Sequence, residues 1–325
     1  MGSQRNKAQA HTLVHPHWVW KGPVVDGVTQ SILKEFLICR ERCRLKLKEG
    51  LKSCEDFSVK LCYGTLFHSI LEGQEPFEMT FNQLAKKHPE HIESLMFWRK
   101  LVVEQSKAYQ NYWSCNLHIL EKELVFDVMF KGYRLRGKID AIILQDGEVW
   151  LLERKSTSQV DDSELISRVG YDLQTGFYLS ALVLSKVYPK IAGVYYDVIR
   201  RPLSGGRYGY RQKQGENSEE YVSRVCETFR SDPTFYFNRF AKVITRDEIK
   251  FFFDNSLKPI LDEMREWYES DCKKHHWIMP FGVVKRYRDS LDDYIHSGGS
   301  IRIALDKYEP FSELMEPNDD SEQVD

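Results

Sequence analysis

The chain has 325 residues, 42% of them hydrophobic and 13% aromatic, enough to bury a sizeable core and too much for a chain disordered throughout. No run approaches the roughly 18 apolar residues of a membrane span, and no charged start leads into an apolar stretch, so a cytoplasmic protein without a membrane partner is expected. A formal net charge of −2 leaves any nucleic-acid binding to local clusters of Lys and Arg.

In chain order, residues 1–25 hold His11, His15 and His17 without periodicity and read as a mobile segment. A single elaborated domain is expected over residues 26–315, with a core at about 60–200 and a helical extension at about 215–310. Residues 316–325 form an acidic tail read as disordered. From Ser31, Ile32, Leu33, Phe36 and Leu37 have helical spacing that runs on into Arg40, Arg42, Arg44, Lys46 and Lys48. That basic face is either solvated or set against phosphates. A second helix begins near Gly64 and Thr65 and carries His68 and Glu72 one turn apart. A longer helical stretch covers about Ile92 to Leu120.

The period then falls from 3.6 to 2 over three runs, Glu121 to Lys131, Tyr133 to Gln145 and Glu148 to Ser156, which read as an antiparallel meander. Ser163 to Val187 returns to helical spacing and stops before Pro189, and Ile191 to Ile199 reads as a further strand. Thr245 and Glu248 have the spacing of a capping box for a helix to about Ser270, with a kink expected at Pro259. The fold class is therefore α/β: helix, three-strand antiparallel meander, helix, strand, with helical N- and C-terminal additions.

The densest chemistry lies in the hairpin around Asp146-Gly147, a favoured two-residue turn. With that turn, Gln145 faces Glu148, and counting back sets Asp140 opposite Glu153 on one face. Two carboxylates so close repel unless a cation lies between them, and oxygen donors suit a hard ion such as Mg²⁺ or Mn²⁺. Lys155, two residues beyond Glu153, shares that face. A metal site with a nearby ammonium has the parts that phosphodiester hydrolysis needs. Asp140, Glu153 and Lys155 are the candidate catalytic residues.

On these residues the chain resembles the PD-(D/E)xK nuclease superfamily and, within it, the RecB-like exonuclease branch. The fold it implies is a restriction-endonuclease-like core. Gly137-Lys-Ile-Asp140 is similar to the family's Gly-x-x-Asp, Glu153-Arg154-Lys155 to its Glu-x-Lys, and Gln174 to Tyr178 to the branch's Gln-x-x-x-Tyr. Gly64-Thr65-Leu-Phe-His68 resembles its Gly-Thr-x-x-His helix. The resemblance implies metal ligation by His68 and the Arg154 carbonyl beside Asp140 and Glu153, and it adds Gln174 and Tyr178 to the catalytic set, placed to position DNA or the scissile region. Some relatives hold an iron–sulfur cluster on one early and three late cysteines. Here Cys39 stands near the early position, but beyond the core only Cys226 and Cys272 remain. No cluster is expected, and apolar packing of Trp277 to Ser297 takes its place. The seven cysteines then read as reduced thiols.

The function that follows is a metal-dependent DNA exonuclease or end-processing nuclease in recombination, repair or phage DNA metabolism. It would have a DNA substrate and a helicase or recombination protein as possible partner. A structure-selective endonuclease and a non-catalytic DNA-binding module are the alternatives. DNA contacts are expected from Arg40, Arg42 and Arg44 and from Arg200, Arg201, Arg207 and Arg211.

Overall fold

A computed structural model of the chain describes residues 20–53, 57–113, 117–157, 172–202, 215–279, 289–299 and 305–314. In chain order these form α1 (Gly22–Val25), α2 (Gln30–Ile38), α3 (Arg40–Glu49), β1 (Leu51–Ser53), α4 (Val59–Glu72), α5 (Gln74–Lys87) and α6 (Ile92–Tyr112). Three strands follow, β2 (His118–Phe130), β3 (Tyr133–Gln145) and β4 (Glu148–Thr157), then α7 (Leu173–Ser185) and β5 (Gly193–Arg200). The remainder holds α8 (Ser218–Ser231), α9 (Pro233–Tyr236), β6 (Phe237–Val243), α10 (Arg246–Phe252), α11 (Lys258–Glu269), α12 (Ser290–His296) and β7 (Leu305–Lys307).

The chain folds as two compact units, one of residues 27–30 and 55–262, the other of residues 1–26, 31–54 and 263–325. The first is built on a five-stranded mixed sheet in the order β2-β3-β4-β5-β6, antiparallel except for the β4–β5 pair. That parallel pair requires a crossover between its strands, and α7 lies in it. One face of the sheet meets α4, α6 and α8 through a core that includes Tyr63, Phe67, Leu101, Tyr109, Val225 and Phe229. The strand bounds follow from alternation and turn chemistry. Asp146 and Gly147 both have positive φ, 53° and 78°, as a primed hairpin turn demands.

The second unit shows why the basic helix is basic. Arg40 is fully buried, with its guanidinium 3.1 Å from the centre of the Phe36 ring and 3.7 Å from that of Trp277, and it donates to Glu263 at 2.8 Å. Arg42 binds Glu35, Asp289 and Asp292 at 2.6–2.9 Å. Arg44 binds Glu41 and Glu49, Lys46 binds Glu35, and Lys48 binds Asp271. The helix is therefore neither a solvated face nor a phosphate-facing one. Its cations are committed to carboxylates of the same unit, and Arg40 and Arg42 are corrected from DNA-contact candidates to buried structural charges.

Several element boundaries also differ from the sequence reading. Trp20 is fully buried and Gly22–Val25 is helical, within the stretch read as mobile; residues 1–19 lie outside the described residues. The helix from Ser31 breaks at Cys39, whose backbone is extended at φ −158° and ψ 117°, giving α2 and α3. The helix carrying His68 starts at Val59 under a Ser58 cap, and α5 is an element that the sequence reading lacks. The long stretch to Leu120 ends as helix at Tyr112, and its last residues belong to β2. The extension read as helical contributes β6, which closes the sheet edge against β5. Ahead of Pro259 the helix widens into a π turn at Phe253–Leu257, a way to absorb the hydrogen bond that proline cannot make. Part of the 163–187 helix, part of the Trp277 to Ser297 stretch and the whole 316–325 tail lie outside the described residues.

Candidate active site

The hairpin that carries the candidate residues opens into a fork. β3 and β4 pair from Gln145↔Glu148 down to Ala141↔Leu152, and there the ladder ends. Beyond it β3 stays with β2 and β4 stays with β5, from Glu153↔Tyr196 to Thr157↔Arg200. Val28 fills part of the vacated edge of β3 by bridging to Leu135. Asp140 and Glu153 are the first residue past the last pair on each strand. Because Ala141 and Leu152 belong to one apolar cluster, alternation sends Asp140 and Glu153 to the opposite face. A hydrogen bond spans the fork, from the Arg154 backbone N–H to Asp140 Oδ2 at 3.3 Å.

Glu153 is 2% exposed. Its Oε1 accepts from Lys155 Nζ at 2.8 Å and from Gln174 Nε2 at 2.9 Å, and Lys155 Nζ also donates to Gln174 Oε1 at 3.0 Å. The three side chains close a ring between β4 and the first turn of α7. Glu153 Oε2 is buried without a hydrogen-bond partner among the described residues. Burial raises the Glu153 carboxyl to about 7; Lys155 opposes that rise and Asp140 adds to it. Burial also works against the Lys155 ammonium, but Glu153, Asp172 and Asp140 outweigh it and the pKa is raised.

The orphaned Oε2 and the Asp140 carboxylate across the fork match the donor chemistry of a hard divalent cation. Among the described residues no three His, Cys, Asp or Glu side chains converge into a ready-made cage. His68 lies on α4 and is half-buried; burial lowers its pKa, and the Asp140 charge is the largest influence in the other direction. Glu72, one turn on, is raised by burial and by Glu123. Glu123 is a half-buried acid that the sequence reading passed over, because in an alternating strand it looks like an outward residue.

Each glycine of the motifs has a steric reason. A Cβ on Gly64 would lie 2.7 Å from Ser156 Oγ, so glycine lets α4 approach the end of β4 closely. A Cβ on Gly137 would lie 2.5 Å from the ring of its cross-strand partner Phe126. That ring stands edge-on to Tyr178 with centroids 6.0 Å apart, so half-buried Tyr178 packs beside the Gly137 strand one turn after Gln174.

Arg154 points away from Glu153 and Lys155. Its strand neighbours Asp197 and Arg239 complete an Arg–Asp–Arg row across β4, β5 and β6, at 3.8 Å and 3.2 Å, and the Tyr109 hydroxyl donates to the same carboxylate. This buried row was not legible beforehand, since it needs β6. Arg201 donates to the Ser156 carbonyl and Arg200 stacks on Phe235, while Arg207 and Arg211 lie outside the described residues. Asp172 was also missed. It caps α7 through a 3.2 Å bond from the Gln174 N–H and lies 3.7 Å from Lys155 Nζ; an Asp two residues before Gln174 is the cap signal that could have found it.

Comparison with known proteins gives a family. No curated protein matches the chain. A solved structure from Eubacterium rectale, described as "Putative exonuclease", is similar at 13% identity, covering 82% of this chain and 91% of its own, with a TM-score of 0.44. That likeness is too slight to carry weight. The profile of the PD-(D/E)XK nuclease superfamily matches residues 28–251, which take in the whole fork, the strands on either side of it and α7. On that match, over more than half of its length, the chain belongs to the PD-(D/E)XK nuclease superfamily.

Proposed function

We propose that the chain is a divalent-metal-dependent deoxyribonuclease of the RecB-like branch, acting as an exonuclease or end-processing enzyme in recombination, repair or phage DNA metabolism. A helicase or recombination protein is a candidate partner. The observation that carries this reading is the fork, where a buried carboxylate oxygen of Glu153 lacks a hydrogen-bond partner among the described residues, beside an ammonium and one residue past the last β3–β4 pair.

In this reading Asp140 and Glu153 hold Mg²⁺ or Mn²⁺, with the Arg154 carbonyl and His68 as further ligands and no iron–sulfur cluster. The bound ion supplies polarisation of a phosphate oxygen and acidification of water. Lys155 shares the face of both acids and orients the attacking water or offsets charge on the phosphate. Gln174 bridges Glu153 and Lys155 and so fixes their spacing. Tyr178, one turn further along α7, positions the DNA strand.

The test is digestion of end-labelled single- and double-stranded DNA and of closed circles, with Mg²⁺, with Mn²⁺ and with EDTA, beside Asp140→Ala and Lys155→Ala. Metal-dependent loss of label from linear DNA, abolished in both variants at unchanged far-ultraviolet circular dichroism, is the expected result. Cutting of closed circles would move the reading to an endonuclease. Full activity in either variant, or DNA binding without hydrolysis in the wild type under every metal condition, would overturn it.

A further inference from the structure

Among the described residues the Lys155 ammonium lies within ion-pair distance of two carboxylates, and one of them, Asp172, is outside the proposed metal site. Glu153 Oε1 stands at 2.8 Å and Asp172 Oδ2 at 3.7 Å. The side chains of Lys155 and Asp172 are each about one-third exposed, so neither is locked by packing alone. Asp172 is itself held in place. Its other oxygen caps α7 by accepting from the Gln174 backbone N–H at 3.2 Å, while the Gln174 side chain reaches Glu153 and Lys155. One residue thus grips the main chain of Gln174 and faces the ammonium that Gln174 also contacts.

We propose that Asp172 is a positioning residue: it holds Lys155 on the site face when the charge of Glu153 is drawn to a cation, so that the lysine does not swing out to solvent. This rests on the nuclease reading of the same site. Without Asp172, the capture of Glu153 by a metal would leave Lys155 with only the neutral Gln174 amide as a partner among these residues. A long four-carbon stem then regains its rotamer freedom, and the ammonium spends less time where the phosphate is.

Three substitutions separate the cap from the charge. Asn and Ser retain an oxygen that can cap α7, but neither carries a negative charge for Lys155; Ala loses both roles. In metal-loaded enzyme, Asp172→Asn and Asp172→Ser are expected to lower kcat about tenfold with KM and melting temperature close to wild type, and Asp172→Ala to lower melting temperature as well. A wild-type kcat in Asp172→Asn, or a loss seen only in Asp172→Ala and parallel to its melting temperature, would overturn the proposal.

A second readout needs neither metal nor activity. In metal-free Glu153→Gln, which removes the competing charge, the Lys155 Cε methylene protons should stay distinct by NMR because Asp172 holds the side chain. In the double variant Glu153→Gln/Asp172→Asn they should merge into one averaged signal. Equal averaging in both variants would sink the positioning role while leaving the nuclease reading intact, whereas an inactive wild type that gives the expected NMR pattern would sink only that reading.

Discussion

Glu153 concentrates the electrostatic strain of the candidate site, because burial holds its carboxyl near 7 where an ordinary one titrates at 4.5. The folded state therefore keeps a proton that the unfolded chain gives up, and between pH 4.5 and about 7 the folded chain binds more protons than the unfolded one. Stability from this group is complete below pH 4.5 and is lost as pH rises through 7. The shift corresponds to on the order of 3 kcal/mol. Urea unfolding in EDTA should show Glu153→Gln gaining stability relative to wild type between pH 5 and pH 8, by a few kcal/mol on the same scale. A difference that does not change with pH would mean that Glu153 is already ionised at pH 5. A cation would compete with that proton, so apparent Mg²⁺ affinity by calorimetry should climb with pH until about 7 and then level off.

At the scale of elements, the packing of Phe126 over Gly137 offers the sharpest test. Gly137→Ala would push a methyl into a ring that is 7% exposed and packed against Phe177 and Tyr178. A loss of about 1–3 kcal/mol is expected from such overpacking. In a Phe126→Leu background the same substitution should cost markedly less, and a double-mutant cycle showing additivity would remove the steric account. This part of the molecule is also the one most legible in the sequence. β3 alternates over Tyr133–Ala141 before an apolar run leads to Asp146-Gly147, and that turn sets the register from Gln145↔Glu148 to Ala141↔Leu152, which leaves Asp140 and Glu153 as the next residue on each strand. Elsewhere the signals are weaker for stated reasons. Cys39 is no turn residue, so nothing marks the break between α2 and α3. β6 is hidden because Phe237–Val243 runs straight on from the short helix Pro233–Tyr236 with no turn residue between them, and its Arg239 acquires meaning only opposite Asp197. The fork itself is tertiary: pairing rules give the register of two strands but not the residue at which they part.

Across the whole molecule, net charge and the fate of the arginines decide how the proposed DNA binding should behave. With a formal charge of −2, binding depends on local cations, and every cation on α3 is engaged by a carboxylate of its own unit. A run of alternating Arg and Lys looks the same in sequence whether it meets phosphates or buried acids, which is why the composition of α3 misled. Arg44 is the most exposed of its arginines, with 30% of its side chain open, so it is the fairest test. Deleting a cation that neutralises one phosphate should reduce the slope of log affinity against log salt by about 0.7 to 0.9. With Asp140→Ala in EDTA, to prevent cleavage, the added Arg44→Ala change is expected to leave that slope unaltered while lowering the unfolding midpoint. Removing Arg42 instead takes the shared guanidinium from Glu35, Asp289 and Asp292, leaving Glu35 with Lys46, and should lower stability by at most the about 3–5 kcal/mol of a broken buried pair, with the DNA affinity of the folded fraction unchanged. A salt slope that falls by the one-phosphate amount in Arg44→Ala would return α3 to the DNA-binding surface and show that its ion pairs open when a phosphate arrives.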